Sequence, residues 1–173
     1  MVGEPQGARV TGELTIILVR ELQAFEREVE LFPDDELLWK TVPGVTNSAG
    51  NLAAHVCGNL QHFVGRVLGG TSYVRNRDVE FGRRSGSRAE LVDEIHRTIQ
   101  VVETVLPSMG PEILARQYPE AVGGITFTTG IFLLHLSAHL AHHLGQAGYL
   151  RRVLTAENRS AGLLPLKPLG QGN

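Results

Sequence analysis

Apolar residues recur at helical spacing in four stretches of the chain, and Gly, Pro and charged residues interrupt the pattern between them. In the first stretch Leu14, Ile17, Leu18, Leu22, Phe25 and Val29 share one face. Glu13, Arg20, Glu21, Glu26, Arg27 and Glu28 fall mostly on the other, which predicts a helix from about Ala8 to Leu31. Phe32-Pro33-Asp34-Asp35 breaks it, and a short helical piece is expected around Glu36 to Lys40. After the Pro43-Gly44 turn, Ser48 offers a cap for a second long helix that reaches about Leu68 and ends at Gly69-Gly70.

The segment from Thr71 to Gly86 is rich in Arg, Gly and Ser without sustained period and reads as an ordered loop. Ser87 and Glu90 have the spacing of a capping box, and Leu91, Ile95, Thr98, Ile99, Val102 and Leu106 supply the stripe of a third helix that Pro107 ends. Tyr118 to Thr128 contains one short extended piece with nothing to pair with. Thr129 to Leu154 is the strongest helix, finishing with Arg151 and Arg152 at its negative dipole end, and residues 155 to 173 read as a tail. These elements predict an all-α fold, a four-helix bundle with two long crossover connections, in one domain over residues 1–173 with a helical core at about 8–154.

Composition narrows the partners. The 42% hydrophobic and 20% charged residues exclude a disordered chain, and 173 residues suffice to bury a core. Sixteen basic against 18 acidic side chains, net charge -2 with no block of like charge, leave no electrostatic basis for non-specific nucleic-acid binding. The single cysteine, Cys57, makes no internal disulfide, reads as a small buried hydrophobe and fits a reducing cytoplasm. Met1 to Leu14 has no apolar run followed by a small-residue cleavage site, so no signal peptide is expected. Ala121 to Leu150 lacks Asp, Glu, Lys and Arg, but its four histidines, Gln146 and glycines mark a buried helix rather than a membrane span.

The candidate chemistry lies in the histidines. Of seven, four (His135, His139, His142 and His143) fall within nine residues of the last helix. Residues four apart lie one turn apart on one face, so His135 with His139, or His139 with His143, can reach one ion. Buried imidazoles must lose their water, and metal coordination is a common compensation. The second long helix offers His55 as a third ligand, with Asn59 one turn on and His62 seven residues on. Three neutral imidazoles suit a borderline divalent ion such as zinc, nickel, cobalt or iron, and leave coordination positions open to chemistry. Gln146 and Asn59 are the polar neighbours available to orient rings or a ligand, while His96 and His62 read as structural and Trp39 as a packing residue.

His55 within Asn51-Leu-Ala-Ala-His-Val-Cys-Gly-Asn59, followed by His139-Leu-Ala-His-His143-Leu-Gly-Gln146, resembles the DinB/YfiT-like metalloenzyme superfamily. The resemblance covers roughly residues 10 to 155, and it implies His55, His139 and His143 as the ligands. Tyr73-Val-Arg75-Asn-Arg77-Asp-Val-Glu80-Phe81 is similar to that family's arginine-rich connection and is expected to border the pocket. His135 and His142 are additional histidines that leave the ligand pair on the last helix open.

The resemblance implies a crossover four-helix bundle, often a homodimer, with a divalent metal (zinc or nickel foremost, with iron, cobalt or manganese as other occupants) between its second and fourth helices. It implies no single activity, since some relatives are transferases or isomerases that use mycothiol, bacillithiol or glutathione. The leading expectation is a metal-dependent thiol transferase acting on an electrophilic substrate. In it a metal-lowered thiol pKa supplies the nucleophile, Arg75 or Arg77 pairs with a cofactor carboxylate, and Glu80 anchors an arginine or moves a proton. The alternatives are a metal hydrolase, for which the last helix lacks an H-E-x-x-H glutamate, and a non-catalytic stress-related protein stabilised by its ion.

Overall fold

Ser48 and Ser87 each open a long helix by the reciprocal bonds that their side chains and the residues three positions on can make. Ser48 Oγ accepts from Asn51 N at 3.1 Å while Asn51 Oδ1 accepts from Ser48 N at 3.2 Å. Ser87 and Glu90 repeat the arrangement. The computed structural model describes residues 6–161 and Leu166. Its helices are α1 (Gln6–Glu30), α2 (Asp35–Leu38), α3 (Ala49–Leu60), α4 (Arg77–Gly82), α5 (Arg88–Val105) and α6 (Thr129–Thr155). A π-helical continuation of α3 covers Gln61–Leu68, and a 3-10 turn covers Pro111–Ala115.

The four long helices form the bundle. α1 packs on α5 and α6, and so does α3, so α1 and α3 face each other across a diagonal. The consecutive long helices α3 and α5 pack together, whereas α1 and α3, and α5 and α6, do not lie side by side, an arrangement that long crossovers permit. Leu18, Leu22 and Phe25 of α1, Ala53 and Val56 of α3, Leu91 and Ile95 of α5 and Leu133 of α6 are almost fully buried. Each of the Val, Leu, Ile and Phe side chains among them contributes about 1.5–3 kcal/mol relative to exposure.

Several details differ from the sequence reading. Thr71 to Gly86 is not loop throughout, because Asn76 Oδ1 caps Val79 N at 3.1 Å and starts α4. The extended piece at 118–128 makes two isolated antiparallel bridges, Gln117 with Thr128 and Val122 with Ile125, and no strand forms among the described residues. Gly123 and Gly124 turn it at φ +60° and +79°, a conformation that side chains with a Cβ resist. Glu21 and Glu28 are buried rather than on a solvated face, and Arg151 is fully buried. Arg151 Nε donates to Glu28 Oε2 at 2.6 Å, joining α6 to α1, so this arginine serves the core as well as the end of its helix.

The apolar segment at 121–150 becomes helical only at Thr129, and one face of α6 meets solvent, with Ile131, Leu134, Tyr149 and Val153 between 56% and 71% exposed. No helix among the described residues is long and apolar enough to cross a membrane. The start of the tail packs back, Ala161 O accepting from Arg27 and Arg159 O from Arg151. Residues 1–5 at the amino terminus, and 162–165 and 167–173 of the tail, lie outside the described residues.

Candidate metal centre

α3 enters the bundle with its whole length buried, and His55, in the middle of it, is 3% exposed. Facing it on α6 are His139 and His143, four residues apart and so one above the other. The ligand nitrogens of these three residues all lie within 4.8 Å of one another, a group that can hold a metal ion. His55 Nε2 stands 3.3 Å from His139 Nε2, which stands 3.1 Å from His143 Nε2. Tetrahedral coordination with bonds of about 2.0–2.1 Å would separate ligand nitrogens by roughly 3.3 Å. Two of the three separations match that value and the third lies within 4.8 Å.

The outer nitrogens of two of the rings are held by polar side chains. Glu80 Oε2 accepts from His55 Nδ1 at 2.9 Å. A carboxylate only accepts, so this bond places the proton on Nδ1 and a lone pair on Nε2; Arg75 Nη2, also 3.2 Å from Nδ1, donates at the shorter distance of 2.8 Å to Glu80 Oε2. Glu80 is buried, which alone would raise its pKa, but hydrogen bonds from Arg75 and His55 hold it below the ordinary carboxylate value. Gln146 Oε1 lies 2.8 Å from His143 Nδ1, and in this orientation of the amide it accepts from Nδ1 and leaves the lone pair of that ring on Nε2. Two lone pairs thus point toward His139 Nε2, and only a proton on that atom or a shared cation relieves their repulsion. Burial and the neighbouring His143 and His55 push the His139 pKa down to about 3, so this ring stays neutral and available as a ligand. Burial also lowers His143, partly offset by its bond to Gln146.

The support behind His55 comes from a segment far along the chain. Arg75 holds Glu80 with two parallel bonds, Nε to Oε1 at 2.7 Å and Nη2 to Oε2 at 2.8 Å. Asn51 Nδ2 donates to the carbonyls of Glu80 and Arg83 at 2.8 and 2.9 Å, tying α4 to the first turn of α3. Gly58 leaves the space that the Glu80 carboxylate fills, since a Cβ there would collide with it. The ring of Phe81 covers His55 at a centroid distance of 4.6 Å.

A cavity of about 190 Å³ opens beside His55 and His139. Asn59, Arg75 and Arg77 supply its polar wall, and Phe63, Phe132 and Leu136 its apolar one. Asn59 is 8% exposed, and its buried Oδ1 has no hydrogen-bond partner among the described residues. Arg77 stacks on the Phe81 ring at 5.1 Å and forms no ion pair among the described residues. Val122 reaches the same cavity from the 117–128 turn, which His62 pins by an Nε2 contact to Glu120 at 3.2 Å.

The structure thus brings His55, His139, His143, Glu80, Arg75 and Gln146 into one connected network, with Asn59 and Arg77 on the adjoining cavity. Glu80 stands behind His55, in contact with its outer nitrogen. His135 is exposed and stacks on Phe132, and His142 is exposed beside His143; neither joins the three-nitrogen group. His62 lies off it too, because seven residues on it stands about 10 Å further along the helix axis, where its Nε2 meets Glu120. His96 pairs with Glu26 at 2.8 Å. Cys57 is fully buried, and burial pushes its thiol far above the ordinary range. Trp39 packs against Gly50 and donates from Nε1 to Gly86 O. Asn51 and Gly58 were not singled out by the sequence reading; a polar residue one turn before His55 and a glycine inside a helix were the available signals.

The family model of the DinB superfamily matches residues 17–147, a span that holds all three histidines and their supports. No curated protein matches the chain.

Proposed function

The chain belongs to the DinB superfamily, and from that premise we propose that it is a divalent-metal-dependent enzyme, an S-transferase or isomerase that uses a low-molecular-weight thiol such as mycothiol, bacillithiol or glutathione. The observation that carries the proposal is the convergence of the His55, His139 and His143 Nε2 atoms, with His55 and His143 oriented by Glu80 and Gln146, at the side of a cavity lined by Arg77. Zinc or nickel is the resident ion in this reading. When bound, a divalent ion supplies Lewis acidity that favours the thiolate form of a thiol at neutral pH.

The remaining roles belong to the chain. Glu80 and Gln146 hold His55 and His143 with their lone pairs inward, and Arg75 keeps Glu80 ionised. Phe63, Phe132 and Leu136 limit water at the reacting end. Arg77 faces the cavity and pairs with an anionic group of a reactant. In the transfer the sulfur forms a bond to an electrophilic carbon, the leaving group departs with its electron pair, and the thiol proton passes to solvent. Glu80 is already committed to His55 and Arg75, which weakens a hydrolytic reading in which it would serve as general base.

The proposal extends to a homodimer through α6. Its exposed side includes Ile131, Leu134, Ala138, Ala141, His142, Gly145, Tyr149 and Val153, large, small and large side chains nearly symmetric about the centre, with His135 and Gln146 also exposed and Arg152 stacked on Tyr149. Two copies laid antiparallel would set Leu134 of each against Tyr149 of the other.

Titration of mycothiol, bacillithiol and glutathione into the cobalt-substituted protein tests the enzyme reading. A new sulfur-to-cobalt charge-transfer band with one thiol supports it, and stoichiometric cobalt with no response to any thiol rejects it. Light scattering of the wild type and of Leu134→Lys tests the dimer, with a dimer expected for the first and a monomer for the second.

A further inference from the structure

An amide oxygen buried beside a ligand cavity without a partner is destabilising unless something in the cavity bonds to it. Asn59 is such a group. It is more than nine-tenths buried, its Oδ1 has no partner among the described residues, and it lines the cavity next to His55 and His139. On the same cavity, Arg75 is consumed by its paired bonds to Glu80, whereas the exposed Arg77 stacks on the Phe81 ring and makes no ion pair among the described residues. A guanidinium stacked on an aromatic ring is pre-oriented and still has its hydrogen-bond donors free. Between the two polar groups the wall is Phe63, Val122, Phe132 and Leu136.

We infer that the cavity selects a small amphipathic organic anion as the electrophilic partner of the reaction. Its carboxylate pairs with Arg77, its apolar body lies against Phe63 and Phe132, and a hydroxyl or N–H donor near the histidines bonds to Asn59 Oδ1. This inference rests on the metal-dependent reading above and names the substrate class for it. The volume of about 190 Å³ is below the roughly 300–1,000 Å³ of pockets that enclose drug-sized ligands, which favours a compact acid over a nucleotide or peptide. Neither Asn59 nor Arg77 touches the three ligand nitrogens, so both act on ligand choice.

Calorimetric titration tests this, with mandelate as the probe and mandelamide and O-methylmandelate as its controls, each run on zinc-loaded and on metal-free protein. In the zinc-loaded protein mandelate is expected to bind, and Arg77→Gln to weaken mandelate about tenfold while leaving mandelamide unchanged. Asn59→Leu should remove the preference for mandelate over O-methylmandelate, and Asn59→Asp should weaken mandelate further by repulsion. Mandelate binding that is the same in wild type, Arg77→Gln and both Asn59 variants would overturn the inference, as would absence of mandelate binding to folded, zinc-loaded wild type. A protein that takes up no zinc but keeps the Arg77 and Asn59 dependence on mandelate sinks the metal reading and leaves this one standing.

Discussion

Glu80 and His55 are 25 positions apart in the chain, yet the carboxylate of one accepts the Nδ1 proton of the other at 2.9 Å inside the bundle. That single bond decides which nitrogen of His55 faces His139 and His143. It depends in turn on Arg75, Asn51 and Gly58, which hold, anchor and make room for Glu80.

Replacing Glu80 with Gln should therefore weaken metal binding without removing a ligand. The amide either accepts less strongly from Nδ1 or presents an N–H to it, and loss of such an outer partner costs roughly 10–100-fold in metal affinity. Competition with a chromophoric chelator reads the affinity, and circular dichroism checks that the helices persist. An unchanged affinity would contradict the role given to Glu80.

Alanine at His55, His139 or His143 should each cut metal content sharply in the purified protein, since each contributes one of three converging nitrogens. His96→Ala should leave it unchanged, because His96 pairs with Glu26 away from the group. Elemental analysis of the four variants, without a histidine tag, is the measurement.

The histidines also set a pH dependence for the metal-free protein. His139 falls from an ordinary 6.5 to about 3 in the fold, and His143 is lowered as well. The unfolded chain thus takes up protons at these rings before the folded one does. Their contribution to stability is complete above about 6.5 and is lost as pH falls toward 3. The thermal midpoint of metal-free wild type should drop over that window, and the drop should be shallower in His139→Ala.

Arg151→Ala should destabilise the bundle far from the metal. It leaves Glu28 as an unpaired carboxylate 6% exposed between α1 and α6, a loss on the order of 3–5 kcal/mol. Urea denaturation should show the shift, while the metal content of the remaining folded protein stays at the wild-type level.

Much of the fold was legible along the chain because its signals are local. The stripes Leu14-Leu18-Leu22 and Leu91-Ile95-Val102 repeat at helical period, and the Ser48 and Ser87 caps act within three residues. The His139–His143 spacing placed two rings on one face by helix geometry alone. α4 escaped notice because six residues carry too little period to register. The exposed face of α6 escaped it because apolar residues nearly all round the helix leave no stripe to read.

By itself the sequence determined the helices, their caps and the pair of imidazoles on α6, since these follow from interactions between residues a few positions apart. Only the tertiary structure decided that His55 completes the group while His135, His142 and His62 do not, that Glu80 stands behind His55, that Arg77 and not Arg75 is left free of an ion pair among the described residues, and that Glu28 meets Arg151 across 123 positions. The reason is physical. Burial and the pairing of charges depend on which helices lie side by side, and here chain neighbours α1 and α3 sit on a diagonal while segments far apart in sequence share the site.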